Sequence, residues 1–217
     1  DVTFSGGQDL TGGAGGGILN LGVFTLERGE VTGNTASSGG GMWNSGTTMT
    51  IIESTISNNT DNGNAGGAGL GGSPGTVTTL ISSTVTGNVT GHGAGGMNTY
   101  NGTFILINST VSNNINTSTS FGGAGIFISG DEAELYLINS TVSGNVSTDA
   151  VGGGIFVNNG SSAHIFSSTI AYNSATSGGG IRNNGTVDFQ NTILAENIAT
   201  TVGGAPDCGG TELTSGG

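Results

Sequence analysis

Apolar residues recur along this chain in nine-residue blocks that align without gaps. LERGEVTGN (26–34) is followed by IIESTISNN (51–59), LISSTVTGN (80–88), LINSTVSNN (106–114), LINSTVSGN (137–145), IFSSTIAYN (165–173) and FQNTILAEN (189–197). Each block ends in Asn eight residues after its first apolar residue, and the blocks recur every 24 to 31 residues. Counting back from that Asn, position 8 is always Leu, Ile or Phe, position 3 is Val, Ile or Leu, and position 2 is Ser, Thr or Ala. Such alternation predicts a short half-buried strand around position 3. Positions 6 and 5, mostly Asn or Ser and then Ser, read as a corner between two strands. β-Branched residues and frequent Gly argue against helix.

A second anchor precedes each block: a Gly cluster closed by an apolar residue, as in GGGI (15–18), GGGM (39–42), GAGL (67–70), GAGI (123–126) and GGGI (152–155). The segments between anchors vary in length, as loops do. A period in this range is the signature of a solenoid, in which each repeat buries its apolar side only against its neighbours. The expectation is an all-β, single-stranded parallel β-helix of about seven coils with three short strands each. Complete coils span about 15–197, with a partial coil over 1–14, where Phe4 takes the place of Val31, and an irregular tail over 198–217. The whole chain is one domain. Stacked in register, Asn34, Asn59, Asn88, Asn114, Asn145, Asn173 and Asn197 should form an amide ladder. The Gly column should mark positive φ or a corner too tight for a Cβ.

Composition narrows the function classes. Gly makes up 46 of 217 residues, but without a G-X-Y period and with only two Pro, so collagen is excluded. The net charge is −12, and Arg28 and Arg182 are the only firm cations. That surface repels phosphate backbones and anionic headgroups, so nucleic acid is not an expected partner. No apolar run approaches the roughly 20 residues that a membrane-spanning helix needs, so membrane insertion is not expected either. Cys208 has no internal partner. The chain starts at Asp1 and reads as a mature or trimmed product, secreted or exposed at a cell surface. With no capping helix foreseen at either end, it reads as a segment of a longer solenoid or a rod that stacks end to end into filaments.

The paired motifs GG[AG][ILM] and [IV]-x-x-Asn resemble the GGA[ILV] and FxxN repeats of chlamydial polymorphic outer-membrane proteins, also found in large secreted bacterial β-helix proteins. Here an aliphatic residue replaces the Phe of the second motif, and no autotransporter barrel is present. The resemblance covers Val2 to about Asn197. It implies a right-handed β-helix at the cell surface, adhesive or structural, with a glycan or host surface as partner.

Candidate chemistry is sparse. Glycoside hydrolysis needs two positioned carboxylates, and lyases need a base. The 14 acids are scattered, with Asp131, Glu132 and Glu134 the one cluster, in a variable loop that could hold calcium. Gly91-His92-Gly93 resembles a short polygalacturonase motif, but that family's paired aspartates and basic motif are missing, so His92 reads as a loop residue and His164 as an outward strand residue. No catalytic, cofactor or metal residue is assigned, leaving a carbohydrate-processing enzyme as an alternative only. GGAGI lacks the Asp of the calcium-binding nonapeptide repeat. Sequons such as those at Asn88, Asn108 and Asn139 permit glycosylation. Two surface arrays remain. Thr55, Thr84, Thr110, Thr141 and Thr169 should stack on an outward face, the arrangement of several ice-binding proteins, interrupted at its ends by Glu30 and Ile193. Leu19, Trp43, Phe127 and Phe156 follow the Gly anchor and should form an outward row able to stack on sugar rings, broken by Gly71, Asn98 and Arg182. The reading that gathers most of these features is a non-catalytic structural or adhesive rod.

Overall fold

The computed structural model describes residues 2–9, 11–63, 66–119 and 122–211, and the backbone of a strand at Thr214–Ser215. Among these residues all regular structure is β. One coil shows the plan: Met42–Asn44, Thr48–Ile52, Thr55–Ser57 and Thr60–Asp61 are successive strands, each paired in parallel with its counterpart one coil away. Repetition builds four sheets, three of eight strands and one of seven. The chain is a parallel β-solenoid of about eight turns, with about 34 Å between first and last strands at the usual spacing. We call the sheets, in the order a coil visits them, the glycine-anchor, five-residue, threonine and two-residue sheets.

Three of the four sheets follow from the block pattern; the fourth corrects it, as does the turn count. The two-residue strands follow each ladder Asn: Thr35–Ala36, Thr60–Asp61, Val89–Thr90, Ile115–Asn116, Val146–Ser147, Ser174–Ala175 and Ile198–Ala199. Their inward residues are small or polar, so no apolar alternation betrays them. Three of these polar side chains each hold a local turn. Asp61 Oδ1 accepts from the Gly63 amide, Thr90 Oγ1 from His92, and Asn116 Oδ1 from Ser118, at 2.8–2.9 Å.

The segment expected to be an irregular tail adds further strands instead. Ile198–Ala199 closes the two-residue sheet, Cys208–Gly210 pairs with Ile181–Asn183, and Thr214–Ser215 pairs with Asp188 and Phe189. Residues 212, 213, 216 and 217 of that segment, and Asp1 and Leu10 of the partial first coil, lie outside the described residues. Cys208 falls in register with Ile181 and packs against the core as the next apolar member of its column. Burial pushes its thiol up from the ordinary range, with Asp207 adding to the rise and Arg182 opposing it. At the other end Phe4 pairs with Val31, the alignment that the sequence indicates.

The lumen is filled by columns in which like sits on like. Leu26, Ile51, Leu80, Leu106, Leu137 and Ile165 form one, and Val31, Ile56, Val85, Val111, Val142 and Ile170 another, all buried. Beside them runs the Asn ladder. Nδ2 of each Asn from Asn34 to Asn173 donates to Oδ1 of the next Asn at 2.9–3.0 Å. The same Oδ1 also accepts the preceding Asn's backbone amide at 3.0 Å. The second Nδ2 hydrogen reaches back to the position-3 carbonyl of the previous coil, as from Asn114 to Val85 at 3.1 Å. Each interior ladder Asn therefore uses two donors and two acceptor sites.

The ladder has a direction, so its ends need different groups. Gly7 supplies a backbone amide to Asn34 Oδ1. At the other end the last Asn has a donor to place and requires only an acceptor; Asp207 Oδ1 takes both the backbone amide of Asn197 (3.3 Å) and its Nδ2 (2.9 Å). A carboxylate suits that terminus because it accepts without needing to donate.

Glycine serves the ladder in two ways. The Gly just before each apolar anchor faces the amides: a Cβ on Gly96 would lie 2.3 Å from the Gly125 carbonyl oxygen and 3.0 Å from Asn114 Nδ2. The Gly two residues earlier turns the chain into the strand with positive φ, as at Gly39 (φ 56). The GG-x-apolar motif and the terminal Asn of the blocks are thus two sides of one packing arrangement.

The corner at positions 6 and 5 has its own ladder. Position 6 takes positive φ in every block, including Asn108 (φ 51) and Asn139 (φ 48). The next residue's hydroxyl accepts the amide that the corner removes from strand pairing, in the series Ser54 to Ser83, Ser83 to Ser109, Ser109 to Ser140 and Ser140 to Ser168, at 3.0–3.2 Å.

Candidate ligand-binding cleft

The row expected to present Trp43, Phe127 and Phe156 lies on the outer face of the glycine-anchor sheet, where register places Trp43, Gly71, Asn98, Phe127, Phe156 and Arg182 in succession. It is not one exposed stripe. Phe127 and Phe156 are 7% and 9% exposed and stack on each other with centroids 5.0 Å apart, packed with Ala94 and Val151. Most of their apolar area is spent within the fold; Phe127 keeps an edge on the cleft described next, and Phe156 does not line it.

Trp43 behaves differently. It is half-buried, and its ring occupies the space of the missing side chain at Gly71: a Cβ there would come within 2.2 Å of Cε3 and Cζ3. Its Nε1 donates to Ser73 Oγ at 3.0 Å, which fixes the indole along the rod axis. Between Trp43 and Phe127, where Gly71 and Asn98 interrupt the row, a cleft of about 390 Å³ opens. Trp43 and Phe127 form part of its walls, with Gly72 and Asn98 from the sheet between them. Ser73, Pro74, Tyr100 and Ser129 contribute from one set of loops and strand ends, and His92 and Gly93 from another. Tyr100 is 57% exposed. The volume lies at the lower end of the range for small-molecule sites, and an apolar lining with a few polar groups is their usual character. Among the described residues, no carboxylate and no guanidinium lines it.

The sequence pattern alone pointed to Trp43 and Phe127 but missed Tyr100, His92 and Ser73. These sit at strand ends and in loops, where repeats vary and no column identifies them. A signal was present in the interruption itself: Gly beside Trp in a stacked row leaves room that a large ring can fill.

Thr55, Thr84, Thr110, Thr141 and Thr169 stand in register, half-exposed, on the threonine sheet. Glu30 precedes them and Ile193 follows. Ser57 donates to Thr32 Oγ1 at 3.0 Å and Ser112 to Thr86 Oγ1 at 3.2 Å in the adjacent file. Asp131 and Glu132 are exposed. Among the described residues, no group of three or more His, Cys, Asp or Glu is placed to hold a metal ion. His164 lies on the outer face of the five-residue sheet, its Nδ1 2.7 Å from Asp188 Oδ1 and its ring 4.8 Å from that of Tyr136. Tyr136 donates to Glu134 Oε2, and this bond raises the phenol above its ordinary range. These four groups adjoin one another along the sheet.

In comparison with known proteins, no family model, no curated protein and no solved structure matches the chain.

Proposed function

We propose that this chain is a non-catalytic, extracellular structural and adhesive rod, a segment of a surface protein, whose point of attachment is the Trp43–Tyr100 cleft and whose partner is a glycan. The observation that carries the reading is the cleft: aromatic side chains and uncharged hydrogen-bonding groups converge there on a scaffold whose strands are pinned by continuous ladders. Aromatic faces suit the C–H faces of sugar rings, and Ser, Asn, His and Tyr suit their hydroxyls. A rigid support lowers the ordering cost of binding. The likeness of the repeat pair to bacterial surface proteins and the anionic composition agree with an extracellular setting.

The test is a glycan microarray probed with the chain and with Trp43→Ala and Tyr100→Ala, each first matched to the parent by circular dichroism. Retention of a subset of glycans, weakened about tenfold or more by Trp43→Ala, is the expected result. An array that retains nothing would remove the adhesive role and leave only the scaffold.

A further inference from the structure

The breaks in the aromatic row, which as sequence count against a binding face, are what create the cleft. A row filled by large residues at every coil would close on itself, as Phe127 and Phe156 do. Gly71 instead leaves the volume that the Trp43 ring enters, and Ser73 holds the indole there. Asn98, 9% exposed, contributes an amide from the sheet between the two aromatic walls. With Trp43 on one side and Phe127 on another, the opening is bounded along the rod and is not a through-groove for an extended chain running parallel to the axis.

Resting on the adhesive reading, we infer that the cleft takes a single uncharged pyranose ring, at the end or side branch of a glycan, with Gly71 as the residue that positions Trp43 against it. Three observations carry this. The cleft is closed along the rod by Trp43 and Phe127, and its volume of about 390 Å³ has room for one ring with its substituents and linkage but not for an extended oligosaccharide. The lining offers ring faces, hydroxyls, an amide and an imidazole, which is the chemistry that a neutral sugar presents in mirror image. A uronate or sialate carboxylate would find no Arg or Lys in the lining, and it would approach a chain of net charge −12. The field of such a chain lowers the local concentration of anions and so disfavours them before contact.

The experiment is isothermal titration calorimetry of the full chain with methyl glucoside, N-acetylglucosamine and glucuronic acid, at low and at physiological salt. At least one neutral sugar is expected to bind saturably, with glucuronic acid about tenfold weaker or worse and the gap narrowing as salt screens the field. Gly71→Ala should weaken the neutral sugar about tenfold without contacting it, by expelling the indole, and Ser73→Ala should weaken it less. Gly22→Ala, where an added Cβ meets nothing within 4 Å, should change nothing. Should Gly71→Ala fail to fold, Ser73→Ala carries the positioning test alone. Glucuronic acid binding as tightly as the neutral sugars, lost in Trp43→Ala, would overturn the choice of ligand while leaving the adhesive reading in place. Microarray retention that depends on Trp43, with none of the three sugars binding, would overturn the single-ring inference. A blank microarray would overturn the adhesive reading and this inference with it.

Discussion

Replacing Asn114 with Ala is expected to destabilise the solenoid by about 3–5 kcal/mol, far more than a polar-to-Ala change at the surface. The side chain is fully buried at the middle of the ladder. Its Oδ1 accepts from both the backbone amide and the Nδ2 of Asn88, and its own Nδ2 donates to Asn145 Oδ1 and to the Val85 carbonyl. Ala strands both Asn88 donors in the preceding coil and takes a partner from two acceptors, the Val85 carbonyl of that same coil and Asn145 Oδ1 of the next, at a position with no exposed surface. Each buried polar group left unsatisfied costs about 1–3 kcal/mol, which is why the loss exceeds the worth of one ordinary hydrogen bond. Asn159→Ala, at an exposed turn, should stay within about 0.5 kcal/mol of the parent. Urea denaturation of the two variants beside the parent checks the difference. A loss at Asn114 no larger than at Asn159 would mean that the ladder does not hold the coils together.

Stability should rise as pH falls from about 7 towards 4, and Asp61→Asn should abolish most of that slope. Asp61 is 2% exposed; its Oδ1 accepts from Gly63, and its Oδ2 has no partner of normal hydrogen-bond geometry among the described residues. Burial pushes the carboxyl up to about 6 from an ordinary 3.8, only partly opposed by the backbone amides of Gly63, Gly39 and Gly66. A folded-state pKa above the unfolded value means that the native state holds the proton more tightly. The resulting stabilisation is fully present below about 3.8 and is lost as pH rises through about 6. The shift corresponds to about 3 kcal/mol by neutral pH. Asn is the natural replacement, because Asn116 stands in the same column two coils on and makes the same turn with Ser118. Thermal melts of parent and Asp61→Asn from pH 4 to 8 should converge at the acid end and diverge by neutrality, with the variant the more stable. Parallel curves would mean that Asp61 is ionised at no cost.

The legible part of the fold was legible for a physical reason. Parallel stacking places equivalent residues of successive coils on top of one another, so every lumen column and the Asn ladder appear in the sequence as fixed offsets from Asn34 onward. Where the repeats lose that constraint, reading failed. Ala36, Asp61, Thr90 and Asn116 point inward but are small or polar, so the two-residue strands they belong to left no apolar signature. Cys208 continues the Ile181 column after a segment with no block of its own, and Asp207 ends a ladder of amides with a carboxylate; neither follows the repeat rule. The candidate cleft was half visible. Trp43 and Phe127 lie in a column, whereas Tyr100, His92 and Ser73 come from the variable segments, and Phe156 lies beneath its neighbours because Phe127 is there to stack on.

Trp43 is the only tryptophan in the chain, so its fluorescence reports on the cleft without a label. Titrating the full chain with the glycans retained on the microarray, while following that emission, tests the central claim most directly. A saturable shift or quench, with the same midpoint as calorimetric binding and with glucuronic acid needing about tenfold higher concentration or more, is the predicted result. Glycan binding that saturates while the Trp43 emission stays unchanged would place the binding site elsewhere on the rod and contradict the claim.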